Sequence, residues 1–155
     1  MTQQEKDILL KDICARLPYG IKAYVKNWSK LDRKYYEGIY TVKSAHPSLN
    51  SVLTYSDKGS VEVLIDYDDY VIKPYLFPLS SMTNELWDKE FSGYGITEFT
   101  RDSFKYGCET LDFNRSNPDL LNMVRFINLL IKNHFDIYGL IPMGMAIDAT
   151  GLNIY

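Results

Sequence analysis

The chain has 155 residues, of which 46% are hydrophobic and 24% are charged, and its 17 Lys and Arg against 20 Asp and Glu give a net charge of −3. A chain of this size and composition buries enough apolar surface for one core and lacks the low hydrophobicity of a disordered protein. It also lacks the apolar run of about 18 residues that a membrane span requires. The first residues carry both charge signs and no apolar stretch, so we expect no secretory signal. These features predict one soluble, cytoplasmic domain over residues 1–155.

The first element is predicted to be a helix over residues 3–16. Thr2 and Glu5 have the spacing of a capping box, and apolar residues then recur at helical intervals as far as Pro18 and Gly20. Such a pattern is typical of a helix that packs one face on a core.

Two cysteines, Cys14 and Cys108, lie far apart and form no CxxC or Cys/His cluster. Their number excludes a disulfide framework and a structural zinc site. Cys14 belongs to the apolar stripe of the first helix, where we expect a buried, inert thiol. Cys108 stands next to an acidic residue that would raise its pKa, so it is a poor nucleophile candidate.

Five β-strands are predicted in the next part of the chain. Apolar and polar residues alternate over 21–28, which is the period of a strand with one buried face. A turn-forming cluster at 56–60 separates two β-rich segments and predicts a hairpin. Pro74 has no backbone N–H, so its strand should lie at an edge or an end. The predicted strands cover 21–28, 38–45, 51–55, 61–66 and 70–76.

Two helices are predicted in the last part of the chain. A short one begins at Asn84 and ends near Gly93, and residues 94–116 show no clean period. A long one has Asn117 as N-cap and continues to Ile131 with apolar residues on most sides, so we expect it to be the most buried helix.

This order of elements predicts the α+β class: an N-terminal helix, an antiparallel, strongly bent sheet of about five strands, a short helix and a long buried C-terminal helix. An SH3-like barrel is one way for such a sheet to close, and periodicity leaves that closure open.

Charge is distributed unevenly along the chain. Residues 1–43 carry nine basic and five acidic side chains, whereas residues 44–100 carry three and nine. In the basic part, lysines alternate with aromatic residues on the polar side of the first strand and continue into the next turn. Phosphates need cations and bases need flat rings, so this pattern favours a single-stranded nucleic acid or a nucleotide, while a solvated strand edge is the plainer interpretation. The candidate binding residues are Lys22, Tyr24, Lys26, Trp28, Lys30, Arg33 and Lys34.

An acidic segment and one histidine form the candidate metal site. Asp66 and Asp68 would project to one side of an extended chain, where Mg²⁺ could lie between their oxygens. No EF-hand loop surrounds them, and a solvated turn is the commoner role of such residues. His134 follows the long helix, where the helix dipole favours a histidine for structural reasons. The candidate ligands are Asp66, Asp68, Asp69 and His134.

Sequence motifs of the common enzyme classes are missing. No G-x-S-x-G, Walker glycine loop, G-x-G-x-x-G or H-E-x-x-H motif occurs, and we predict no cofactor. The 13 Tyr and 2 Trp exceed what a core requires and suit an interface. We therefore predict a non-enzymatic module that binds a protein partner, a second copy of itself or a nucleic acid. The alternatives are a small metal-assisted phosphoesterase or nucleotide hydrolase, and a protein that sequesters a small anionic signal in a deep pocket.

Three blocks of the sequence resemble a group of short proteins encoded by gut Bacteroidales, including Bacteroides, and by their phages and mobile elements. The blocks are LKDICARLPYGI at 10–21, IKPYLFPLSSMT at 72–83 and NHFDIYGLIPMGMA at 133–146. That family has no assigned activity, so the resemblance implies a bacterial cytoplasmic setting and an accessory or host-interaction role but no catalytic residue.

Overall fold

The structure is a computed structural model that describes residues 1–29, 33–56, 59–66, 70–91 and 120–155. Its described helices are α1, Gln3–Arg16, α2, Asn84–Phe91, and α3, Leu120–Lys132. Its described strands are β1, Lys22–Ser29, β2, Lys34–His46, β3, Ser51–Ser56, β4, Gly59–Leu64, β5, Val71–Leu76, and β6, Ile147–Asp148. Contacts divide the chain into two compact units, Met1–Leu76 with Tyr138–Tyr155, and Phe77–Ile137. The described helices are all too short or too polar to cross a membrane.

The capping box at the start of α1 is confirmed. The Thr2 hydroxyl accepts a hydrogen bond from the Glu5 N–H at 3.3 Å, and the Glu5 carboxylate accepts one from the Thr2 N–H at 2.6 Å. The bond that the Thr2 N–H donates to the carboxylate lowers the pKa of Glu5, with a further contribution from the Thr2 side chain, because both favour the charged form. The helix ends in a 3-10 turn, after which Gly20 takes a left-handed conformation with φ of 71°.

The described strands form one mixed sheet in the order β4-β3-β2-β1-β5-β6. All neighbours are antiparallel except β5 and β6, which are parallel. The prediction of about five antiparallel strands is therefore corrected, because a two-residue strand such as β6 shows no period. The ladders of the described residues leave the sheet open, so it is not a closed barrel. β5 lies between β1 and β6, so the prediction that the strand with Pro74 lies at an edge is wrong. Pro74 is tolerated there because β6 pairs with β5 only from Tyr75 onward, which leaves Pro74 just outside that ladder.

β2 bends the sheet. It has thirteen residues, and its first part pairs with β1 while its last part pairs with β3. The register with β3 skips Lys43, which makes a β-bulge and turns the strand. The Asn27 amide of β1 donates a hydrogen bond to the Glu62 carbonyl of β4 at 2.9 Å, although β2 and β3 separate these strands in the sheet order. The sheet is therefore strongly curled although it is open.

The core of the first unit combines α1 with one face of the sheet, which we call the inner face. Leu9 and Ile13 of α1 are fully buried in this cluster. The residues of the inner face that share it are Ala23, Val25, Tyr40, Val42, Val52, Val61 and Val63.

An ion pair is buried on α1 beside this core. Asp12 and Arg16 are both 0% exposed, and the guanidinium donates two hydrogen bonds to the carboxylate at 2.8 and 2.7 Å. Their spacing of four residues places them on the same side of the helix. Sequence periodicity missed this pair, because only apolar residues were counted toward the buried stripe.

Cys14 is half-buried, which is less than the full burial predicted for it. Burial raises the pKa of its thiol, because the interior disfavours the thiolate. This direction agrees with the inert role expected from the sequence.

The second unit has its own cluster of buried side chains. Trp87 of α2 and Phe126 of α3 pack with ring centroids 5.4 Å apart. Val124 and Ile127 are exposed, so the prediction of a long helix that is buried on most sides is not confirmed. The predicted cap at Asn117 and the mixed segment 94–116 lie outside the described residues. The buried members of the cluster are Met82, Trp87, Phe126, Leu129, Leu130 and Phe135.

Candidate functional site

β1 places alternate side chains on opposite sides of the sheet. Ala23 and Val25 are fully buried on the inner face. On the opposite side, which we call the outer face, Tyr24 and Trp28 are half-buried and Lys26 is exposed. These side chains lie as the alternation predicts, whereas their part in binding stays a prediction.

β2 supplies a partner for each outer residue of β1. Trp28 lies opposite Tyr35, with ring centroids 4.8 Å apart and planes tilted by 56°. The Tyr24 hydroxyl donates a hydrogen bond to the Glu37 carboxylate at 2.7 Å, and this bond, more than burial, raises the pKa of Tyr24. The four cross-strand rows of the outer face are Lys22 with Thr41, Tyr24 with Ile39, Lys26 with Glu37, and Trp28 with Tyr35.

The outer face continues onto the neighbouring strands. Tyr55 of β3 lies opposite Thr41, and the Lys43 ammonium lies 5.3 Å from the centroid of its ring. Lys73 of β5 lies opposite Tyr24 on the other side. Sequence reasoning missed Ile39, Tyr55, Lys43 and Lys73, because membership of this face depends on register between strands. The β-forming residues between Tyr35 and Thr41, mostly Tyr, Ile and Thr, were the available signal for β2.

Three of the predicted binding residues either lie off the outer face or are hydrogen-bonded within the first unit. The Lys22 ammonium is half-buried and donates to the Ile154 carbonyl at 2.5 Å, so it is held within the unit. Lys34 lies opposite Ser29 and therefore has the parity of the inner face, with its ammonium 5.6 Å from the Tyr36 ring centroid. Arg33 is exposed in the turn after β1, in a left-handed conformation with φ of 51°. Lys30 lies outside the described residues.

The outer face carries both signs of charge. Its described cations are Lys22, Lys26, Lys43 and Lys73, whereas Glu37 of β2 and Glu62 of β4 are its described anions. The face is thus mildly cationic in a chain whose net charge is −3. Because Glu37 lies in the middle of the rows, the face is not a continuous basic strip.

Tyr155 links two neighbouring strands of the sheet. The Tyr155 hydroxyl donates a hydrogen bond to the Tyr75 carbonyl at 2.7 Å and accepts one from the Lys22 N–H at 3.3 Å. It therefore bridges β5 and β1 at the point where Pro74 has no N–H to contribute. Burial of this hydroxyl raises the pKa of Tyr155 to about 12.

The candidate metal ligands do not form a site among the described residues. The Asp66 carboxylate accepts hydrogen bonds from the Lys6 ammonium at 2.6 Å and from the Asn50 amide at 3.2 Å, which hold its pKa below the ordinary value of 3.8. His134 belongs to the second unit, where it is buried and its carbonyl accepts the Phe77 N–H at 2.9 Å. Asp68 and Asp69 lie outside the described residues. Within the described part of the chain, no three His, Cys, Asp or Glu side chains are grouped to hold a metal ion.

A cavity of about 310 Å³ lies beside the first residues of β5. Tyr70 and Lys73 line it together with Met143 and Met145. The described members of the predicted basic and aromatic set contribute none of its lining, so it differs from the pocket that an anion-sequestering protein would need.

Comparison of the chain with protein-family models, with curated proteins and with solved structures found no match. The geometry of the outer face is therefore the basis for proposing a function.

Proposed function

We propose that this protein is a non-enzymatic interaction module that binds a protein partner through its outer face. One observation carries the proposal: aromatic and aliphatic side chains that a core would normally bury lie on the outer face, in two rows with Lys26 and Glu37 between them. Tyr35 is 59% exposed and Ile39 is 48% exposed. Interface cores are enriched in Tyr and Trp, and exposed apolar side chains grouped on one face are typical of an interaction surface.

The charges of the outer face favour a protein over a nucleic acid. A nucleic acid would bring phosphates against Glu37, which lies opposite Lys26 and accepts a hydrogen bond from the Tyr24 hydroxyl. Ile39 has no flat ring for a base to stack on, whereas it suits an apolar protein surface. A partner with apolar side chains and both signs of charge matches this face best.

Capture of a partner from a lysate of a gut Bacteroidales species tests the proposal, since the sequence resemblance implies that setting. Three immobilised proteins are compared: the wild type, Tyr35→Ser, and the matched control Tyr19→Ser, which changes an exposed tyrosine of the first 3-10 turn. We expect one protein that the wild type and the control retain and that Tyr35→Ser loses by about tenfold, as for an aromatic hot spot. Equal capture by all three proteins would overturn the proposal.

Binding of an oligonucleotide to the outer face would contradict the proposal of a protein partner. Fluorescence anisotropy with a labelled single strand of about ten nucleotides measures it over a range of salt concentrations. Binding that falls steeply with salt and is lost in Lys26→Glu, but not in the control Lys89→Glu on α2, would assign the outer face to nucleic acid. Absence of such binding agrees with a protein partner.

The enzymatic alternative has less support from the described residues. Lys6 and Asn50 already contact the oxygens of Asp66, the one aspartate of the acidic segment that the structure describes. A cation would have to displace the Lys6 ammonium to reach them.

A further inference from the structure

The outer rows of β1 and β2 are complementary within each row. Lys26 lies opposite Glu37, so one row joins a cation to an anion. Trp28 lies opposite Tyr35, so another joins two rings. The row between Lys22 and Lys26 joins the ring of Tyr24 to an aliphatic side chain.

The order of these rows determines which side chains meet when a second copy packs face to face on them. A two-fold axis parallel to the strands, running between β1 and β2, keeps each row in place but exchanges the two strands. Lys26 of one copy then faces Glu37 of the partner subunit, and Trp28 faces Tyr35 of the partner subunit. An axis perpendicular to the strands through the same row would place the two Lys26 side chains against each other. The charges therefore select the first arrangement.

We propose that the occupant of the outer face is a second copy of this chain, in an isologous dimer whose two-fold axis runs between β1 and β2. This inference rests on the proposed function, and it names the partner. Each dimer contains the contact between Lys26 and Glu37 twice, flanked by the aromatic row and the row of Tyr24 and Ile39. The four rows extend over about 20 Å, which places the contact among small, reversible interfaces of about 1,200 Å² or less.

Sedimentation velocity tests the dimer over protein concentrations from about 1 μM to 1 mM, the range of weak association. We expect the wild type to change from monomer to dimer within this range. Lys26→Glu and Glu37→Lys should each weaken the dimer by at least about tenfold, because each places like charges opposite one another twice. Lys89→Glu makes the same charge change on α2 and should leave the dimer unchanged.

A mixture of the two variants separates contacts between chains from repulsion within one chain. In each variant alone, positions 26 and 37 carry the same sign of charge. When Lys26→Glu chains meet Glu37→Lys chains, both contacts across the interface become attractive, whereas the repulsion within each chain stays. We therefore expect the mixture to form heterodimers more tightly than either variant associates with itself.

A third variant tests the dimer without changing any charge and without disturbing the fold. Tyr35→Ser removes an exposed ring, and it should weaken the dimer while the far-ultraviolet circular dichroism stays that of the wild type. A wild type that stays monomeric at all concentrations would overturn the dimer, as would a dimer that resists all three changes. A monomer that still captures another protein through Tyr35 would leave the proposed function standing. A wild type that neither forms a dimer nor captures another protein would overturn both proposals.

Discussion

The inner and outer faces of the β1–β2 pair are built from alternating residues of the same two strands, yet their environments differ. On the inner face, Ala23 and Val25 are 0% exposed and share one core with α1. On the outer face, Tyr35 and Ile39 keep about half of their surface exposed although both are hydrophobic. The inner apolar residues are buried by the chain itself, whereas the outer ones stay exposed. Exposure of apolar surface, rather than composition, is therefore the basis on which we propose that the outer face binds a partner.

The largest loss of stability is expected in the buried ion pair of α1, beside the core of the inner face. Arg16→Met leaves the carboxylate of Asp12 buried without its bidentate partner, and it should lower the free energy of unfolding by about 3–5 kcal/mol. Urea denaturation monitored by circular dichroism measures this change.

The matched control for that change is the double variant Asp12→Leu with Arg16→Met. It removes both charges and replaces them with apolar side chains, so much of the lost stability should return. A double variant as unstable as Arg16→Met alone would show that the charge of Asp12 is not the cause.

A pair of threonine substitutions compares the two faces directly. Val25→Thr keeps the shape of a buried side chain but places a hydroxyl in the core, which should cost about 1–3 kcal/mol. Ile39→Thr places the same hydroxyl on the outer face and should change stability by less than about 0.5 kcal/mol. Both are measured by urea denaturation at low protein concentration, where association does not contribute. Equal losses would contradict the distinction between inner and outer faces.

A smaller loss of stability is expected where Tyr155 links β1 to β5. Tyr155→Phe removes the two hydrogen bonds that join β1 and β5, and it should cost about 1 kcal/mol at neutral pH. The folded protein holds the phenol proton more tightly than the unfolded chain, because its pKa rises from 10.0 to about 12. This contribution is therefore complete below pH 10 and is lost as the pH rises toward 12.

Chemical denaturation of both proteins from pH 7 to 11.5 measures the difference. The wild type should lose its advantage over Tyr155→Phe in the alkaline range, while Tyr19→Phe should follow the wild type throughout. A constant difference at all pH values would exclude ionisation of Tyr155 as the cause.

Local sequence signals predicted the elements whose information is local. The capping box at Thr2 and Glu5 and the alternation over β1 both appear where they were predicted, because hydrogen-bond spacing and strand period act over a few residues. The start of β2 at Lys34, four residues before the predicted start, shows the limit of this signal. Pairing with β1 extends the strand there, and pairing is not local.

Local patterns are enough to predict the helix over residues 3–16, the strands that follow it, and the side chains of β1 that share a face. These properties follow from period and capping, which depend on neighbours along the chain. Local patterns do not predict that Glu37 lies opposite Lys26 or that Asp12 and Arg16 are buried together. They also do not predict that Tyr155 joins β1 to β5. The physical reason is that register, burial and the path of the chain end depend on contacts between residues far apart in sequence.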